Sequence, residues 1–427
     1  MIPNYRLTRI ACYMGNISMS AVANLTPLLF LTFRELYGIS YTLLGLLVTV
    51  NFLTQLTIDM IFSLFSHRFN IPFVVRMTPW ITVTGLVIFA VMPMLFPGAA
   101  YAFIVVGTLI FSSSAGLSEV LISPVVAAIP SDNPSRDMSM LHSIYAWGVV
   151  GVAIITTLLL RLVGHEHWQY VALMWCVVPV CGGILFACAP LPPLETPKRT
   201  SGAVGMFKNR WVMLCVLSIF CGGAAENTIS QWCSSYIESA LGVSKTYGDI
   251  FGVAGFAFML GLGRTLYAKL GRRIYPVVLW GFSGAVVCYL TAALTPVPLL
   301  GLVACGLTGL CVSMLWPGSL LMLADGMTSA DVAAYALMAA GGDFGSSVGP
   351  QMVGVVTDVV VGSEFAAGLT QSWGIGADQL GMKTGLLCGA LFPAVGIVIA
   401  ALLMRGSGCL RGATPETAKN TEITETK

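Results

Sequence analysis

Long apolar runs, each about twenty residues, alternate with short polar breaks along almost the whole chain. A helix needs about 20 predominantly apolar residues to cross the hydrocarbon core of a bilayer. A sequence of 427 residues repeating that unit has room for twelve spans and little else. Only 9% of the residues are charged and 56% are hydrophobic, whereas soluble domains carry about 25% charged residues. A soluble globular fold is excluded, and a multi-pass membrane protein follows.

Hydropathy and turn residues place spans near 10 to 33, 42 to 64, 73 to 95, 100 to 129, 143 to 163 and 169 to 189. A second set lies near 211 to 237, 248 to 270, 275 to 294, 298 to 324, 331 to 361 and 380 to 404. The expected organisation is a six-helix bundle over 1–190, a linker over 191–210 rich in Pro and basic residues, a second six-helix bundle over 211–404 and a polar, disordered tail over 405–427. Arg6 and Arg9 precede an apolar stretch with no small-residue cleavage site, which reads as a retained first span. With both termini inside, 17 of the 21 Lys and Arg fall in the cytoplasmic segments. Arg34, Arg161, Lys245 and Lys383 fall outside, a bias that agrees with the positive-inside rule and with a cell (cytoplasmic) membrane protein. Gly116-Leu117, Pro124 and Gly148 recur as Gly309-Leu310, Pro317 and Gly341, each offset by 193 positions. Such a parallel repeat relates spans four and five to spans ten and eleven, the signature of transporters that rock two bundles about a central site.

Several function classes drop out. A net charge of +2 with the basic residues spread over loops gives no attraction to nucleic acid. Of twelve cysteines only Cys409 lies outside an apolar run, and no CxxC pair or zinc-spaced cluster occurs, so no metal and no cofactor is expected. His165-Glu166-His167 reads as an exposed loop. Gly261 and Gly263 make no phosphate loop, since no strand precedes them and no Lys-Ser/Thr pair follows. No nucleophile with a base is visible, so the chain is not expected to be an enzyme.

Within the spans every ionisable side chain needs a reason. Glu119, Glu226 and Asp343 lie deep in apolar runs, and Asp59 lies near the end of span two. No Lys or Arg is expected at their depth, Arg264 belonging to the end of span eight. An unpaired carboxylate in oil favours its protonated form, so these acids are expected to bind protons, sodium or a cationic substrate. The plainer reading is a neutral carboxyl bonded to a neighbouring helix for packing alone. Asn51, Gln55 and Asp59 form one polar stripe on span two. Asn227, Ser230, Gln231, Trp232 and Tyr236 follow Glu226, and an amide with an indole near an acid suits a sugar. Trp232 and Tyr236 also fit an interfacial aromatic belt.

Gly116-Leu117-Ser118-Glu119 with Ser123-Pro124 and Leu141-His142 resembles spans four and five of the fucose permease-like sugar transporters, a branch of the major facilitator superfamily. Gly223-Ala224-Ala225-Glu226, Gln231-Trp232, Tyr236, Gly263-Arg264 and Gly271-Arg272-Arg273 are similar to its spans seven and eight. The resemblance implies an all-α fold of twelve transmembrane helices in two six-helix bundles, a cavity between spans one, four, seven and ten, and proton-coupled symport with Glu119 in coupling. The family's acid in span one is absent here, where Asn16 and Asn24 stand, and its Gly-x-x-x-Asp-Arg-x-Gly loop is replaced by 63–70, Ser-Leu-Phe-Ser-His-Arg-Phe-Asn.

The expectation is therefore a monomeric secondary transporter in the lipid bilayer that imports a sugar or similar polar solute with a coupling cation, a proton or sodium. Glu119, Asp343 and Asp59 are expected to carry coupling. Glu226, Gln231, Trp232, Asn24, Trp316 and Asn227 are expected to contact substrate. The alternatives are an exporter of a cationic or amphipathic compound and a transporter-shaped sensor without flux.

Overall fold

The computed structural model describes residues 5–65, 68–131, 134–193, 209–270, 273–326 and 332–407. Most of the expected linker, the tail beyond 407, His67 and the side chain of His142 lie outside the described residues. The spans fold as α1 (Arg6–Leu28, continued by Phe30–Tyr37), α2 (Tyr41–Phe65), α3 (Ile71–Leu95), α4 (Ala100–Ala127), α5 (Pro134–Val163) and α6 (Trp168–Met174 with Val177–Cys188). The second half has α7 (Arg210–Leu241), α8 (Lys245–Tyr247, a π-helical Gly248–Ala254 and Gly255–Leu270), α9 (Ile274–Leu294), α10 (Pro298–Val312 with Leu315–Gly326), α11 (Val332–Val361) and α12 (Ala377–Gly389 with Leu391–Gly406). Among the described residues eleven helices are long and apolar enough to cross a membrane, and α1, bent by 47°, makes the twelfth. The bend follows Pro27, whose ring removes a helical hydrogen bond. Gly38 and Gly242 end α1 and α7 at φ 64° and 65°, the left-handed conformation that favours glycine.

Two bundles of six helices form, and the contacts inside one repeat in the other. In the first, α3 packs on α4, α1 on α5 and α2 on α4; in the second, α9 packs on α10, α7 on α11 and α8 on α10. The glycines of the sequence repeat mark these crossings. Gly116 lets α4 approach α2, where a Cβ would come to 3.1 Å from the Gln55 backbone, and Gly309 brings α10 against the Phe256 carbonyl of α8. Gly148 and Gly341 sit likewise at the crossings of α5 with α1 and of α11 with α7. Small residues at these positions let the backbones close up where lipid offers no hydrophobic drive. The bundles meet along two long seams, α2 against α11 and α5 against α8, with α1 touching α7 between them. The end carrying the start of α1 and the end of α12 is called the terminal face, and the opposite end the distal face.

Candidate functional site in the space between the bundles

Polar contacts between the bundles cluster toward the distal face. Asp358, near the distal end of α11, accepts hydrogen bonds from the Tyr41 and Thr42 backbone N–H groups at 3.1 and 2.6 Å. It thus caps α2, where a carboxylate also meets the positive end of the helix dipole. Thr157 of α5 donates to Asp249 of α8 at 2.8 Å. Asp249 is fully buried; it also accepts from Ser234 of α7, and Lys245 lies 3.5 Å away. A further pair, Arg34 with Asp378 at 3.0 Å, is half-exposed and contributes little in water. Below these contacts Trp232, fully buried, packs its ring against Phe30 and Tyr41 with centroids 5.0 and 6.0 Å apart. Two bundles held this way are closed on the distal side.

Nearer the middle, four acids from four helices approach the interbundle space. The Gly116 crossing sets Glu119 one turn beyond the point where α4 touches Gln55 of α2, and Asp59 is one turn beyond Gln55. Glu119 and Asp59 therefore lie within electrostatic reach of each other, and both reach Asp343 of α11 in the opposite bundle. Glu119 is exposed, Asp59 partly so, and Asp343 buried. One Asp59 carboxylate oxygen is buried without a partner. Tyr145 of α5 is within electrostatic reach of Glu119 in its own bundle and of Glu226 and Arg264 in the other. Asp343 of the facing bundle lies within electrostatic reach of Glu119. Among the described residues no ion pair joins Asp59, Glu119 or Asp343 to a cation.

Glu226 is different, and here the expectation of unpaired deep acids is corrected. Arg264 reaches it with a guanidinium nitrogen 3.5 Å from Oε1, while the Arg264 Nε–H donates to the Ser313 carbonyl at 3.2 Å. Counted from the distal turn, Arg264 lies only four residues further along α8 than Glu226 does along α7. At 1.5 Å per residue that is about 6 Å, which the long arginine side chain covers. The other Glu226 oxygen is buried without a partner. The break between Val312 and Leu315 in α10 presents the carbonyl that anchors Arg264.

The other expected substrate contacts are scattered. Gln231 is buried at the α1–α2–α4 contact. Asn227 is part-buried and donates to Ser346 at 2.8 Å, tying α7 to α11. Trp316 is half-buried against Gly342 of α11. Asn24 donates to the Ser20 carbonyl of its own helix at 2.8 Å. The Trp232 indole donates to the Pro350 carbonyl at 2.9 Å, so in this conformation Trp232 contacts protein on every side. Among the described residues no group of His, Cys, Asp and Glu is arranged to hold a metal ion. Sequence reasoning missed Asp249, Tyr145 and the Arg264 pair. The spacing Lys245 to Asp249, four residues on one helical face, was the available signal for the first.

The family model of the Major Facilitator Superfamily matches residues 11–350. No curated protein matches the sequence. Among solved structures, the fold is similar to a bacterial homolog of the human lysosomal transporter Spinster, in an inward-facing and occupied conformation, with TM-score 0.73, 14% identity and coverage of 94% of this chain and 97% of that one. It is also similar to a D-xylose-proton symporter (TM-score 0.68, 16% identity, 91% and 97% covered). A variant of the E. coli fucose:proton symporter FucP matches with TM-score 0.60, 14% identity and 93% and 99% covered. With the family match spanning most of its length and the same two-bundle architecture, this chain belongs to the Major Facilitator Superfamily of membrane transporters.

Proposed function

We propose that the protein is a proton-coupled secondary transporter that imports a small, polar, uncharged solute such as a sugar, with the terminal face in the cytoplasm. The observation that carries this reading is Glu119: an exposed acid within electrostatic reach of Asp343 in the facing bundle, with no cationic partner among the described residues, beneath a closed distal side. A carboxyl in that position costs least when neutral. Protonation would then stabilise the loaded, closed intermediate, and release toward the terminal side would let the empty carrier return, because a ligand shifts a conformational equilibrium by its differential affinity for the two states. Asp59 and Asp343, within electrostatic reach of Glu119, share this coupling role. Glu226, held by Arg264, serves with Gln231, Asn227 and Trp316 as a solute contact, and Asn24 as a weaker one. Trp232 seals the distal end in this conformation. The concentration of Lys and Arg in terminal-side segments supports the orientation.

The acid excess at the centre supports a second reading, export of a cationic compound with the acids as counter-charge. Both readings are tested with purified protein in proteoliposomes holding a pH-sensitive dye, challenged with neutral monosaccharides, nucleosides and quaternary amines. Symport predicts that a neutral solute added outside acidifies the lumen. Lumen alkalinisation on addition of an amine favours the exporter, and no solute-dependent proton movement rejects coupled transport of either kind.

A further inference from the structure

Beneath the aromatic seal lies a small pocket lined by Val22, Thr26, Pro27, Asn51, Thr108 and Gln231, among other residues of α1, α2, α4 and α7. It has room for about one guest oxygen, the size of a water molecule. Its polar lining is buried: Thr26 is 6% exposed, Asn51 8%, Thr108 0% and Gln231 5%. The hydroxyls of Thr26 and Thr108 have no hydrogen-bond partner in the protein. Asn51 spends its carbonyl oxygen on Ser112, which donates at 2.6 Å. Gln231, also buried, lines the same pocket from α7. Buried polar groups are normally satisfied, and each orphan needs an explanation. Four side chains able to donate or accept, none of them charged, converge on one cavity.

We propose that Thr26, Asn51, Thr108 and Gln231 form a subsite for a single uncharged oxygen, filled by a hydroxyl of the transported solute and by water when the carrier is empty. The lining offers no charged group, so nothing there binds a solute charge by pairing. It suits a hydroxyl, which donates and accepts at once. The subsite also spans the bundles: three of its residues belong to the first and Gln231 to the second. Opening the distal side withdraws Gln231 on α7 from α1, α2 and α4, so the site exists complete only when that side is closed. A solute oxygen bound there therefore favours closure, by the same linkage that any state-selective ligand obeys. The solute arm of this proposal rests on the transport reading above, whereas the oxygen arm does not.

The test uses Thr108→Val, which replaces the hydroxyl by a methyl of similar shape, with Thr26→Val in parallel. In purified full-length protein without solute, a hydroxyl bonded to a guest oxygen makes its removal destabilising, and Tm falls by about 1–2 °C. If the pocket is dry, removing an unsatisfied hydroxyl raises Tm, and the proposal is overturned. The solute arm is read by isothermal titration with D-xylose, L-fucose and uridine. Affinity for whichever neutral compound binds the wild type should drop at least tenfold in Thr108→Val. A lowered Tm with unchanged affinity would mean a structural water only, overturning the solute subsite. If none of the three binds the wild type and proteoliposomes also show no coupled flux, the transport reading fails, while the sign of the Tm change still decides the oxygen site.

Discussion

At the residue scale, the pairing of Glu226 with Arg264 divides the deep acids into two kinds. Asp59, Glu119 and Asp343 share one electrostatic neighbourhood with no ion pair to a cation among the described residues, and Glu226 has a guanidinium 3.5 Å away. Arg264 is 44% exposed in its side chain and Glu226 16%, so water screens the attraction and the pair is worth about 1 kcal/mol, not the several expected of a dry pair. A double-mutant cycle checks this. Arg264→Gln alone should lower stability more than Arg264→Gln combined with Glu226→Gln, with a coupling of about 1 kcal/mol in thermal unfolding; zero coupling would place the two groups in separate environments. The acids were legible in the sequence because a carboxylate inside an apolar run is conspicuous. Their pairing was not, because it depends on how far α8 runs past α7 before Arg264 turns inward, and that offset follows from the π-helical turn and the packing of α8 on α10.

At the element scale, the distal closure rests on helix ends. Asp358 caps α2 from the other bundle, and Asp249, in the π-helical turn Gly248–Ala254, takes a hydrogen bond from Thr157 of α5. π-bulges recur at functional sites, and this one sets a fully buried carboxylate at the α5–α8 seam. Thr157→Val removes the only donor that the described contacts give Asp249 from the first bundle. It should raise amide exchange at the distal ends of α5 and α8 about tenfold, equivalent to ~1.4 kcal/mol of weakened closure. Hydrogen–deuterium exchange read by mass spectrometry measures it, and unchanged protection would show that the other distal contacts, the Asp358 cap on α2 and the packing of Trp232 with Phe30 and Tyr41 among them, keep the distal side closed without this bond. In the sequence only the Lys245–Asp249 spacing marked this acid, and nothing marked its bond to Thr157. Asp249 stands near the start of an apolar run, where an acid normally meets water, and only the docking of α5 over it makes it buried.

At the scale of the whole molecule, the fold was the most legible feature. Span lengths follow from bilayer thickness, and the recurrence of Gly116 and Gly148 as Gly309 and Gly341 reappears as equivalent helix crossings in the two bundles. Those crossings also bring Glu119 to Asp59 and, through the α2–α11 seam, toward Asp343. The symmetry that builds the bundles thus assembles the acid group that the two bundles share. What the sequence could not convey is which acids meet across the seam, because that depends on the conformation in which the bundles close. In the proposed cycle, protonation of Glu119 is the driving step. Replacing it by glutamine fixes the neutral form. In proteoliposomes, Glu119→Gln should abolish solute-driven proton movement and uphill accumulation while solute counterflow persists at a substantial fraction of the wild-type rate; proton movement equal to that of the wild type would contradict the account.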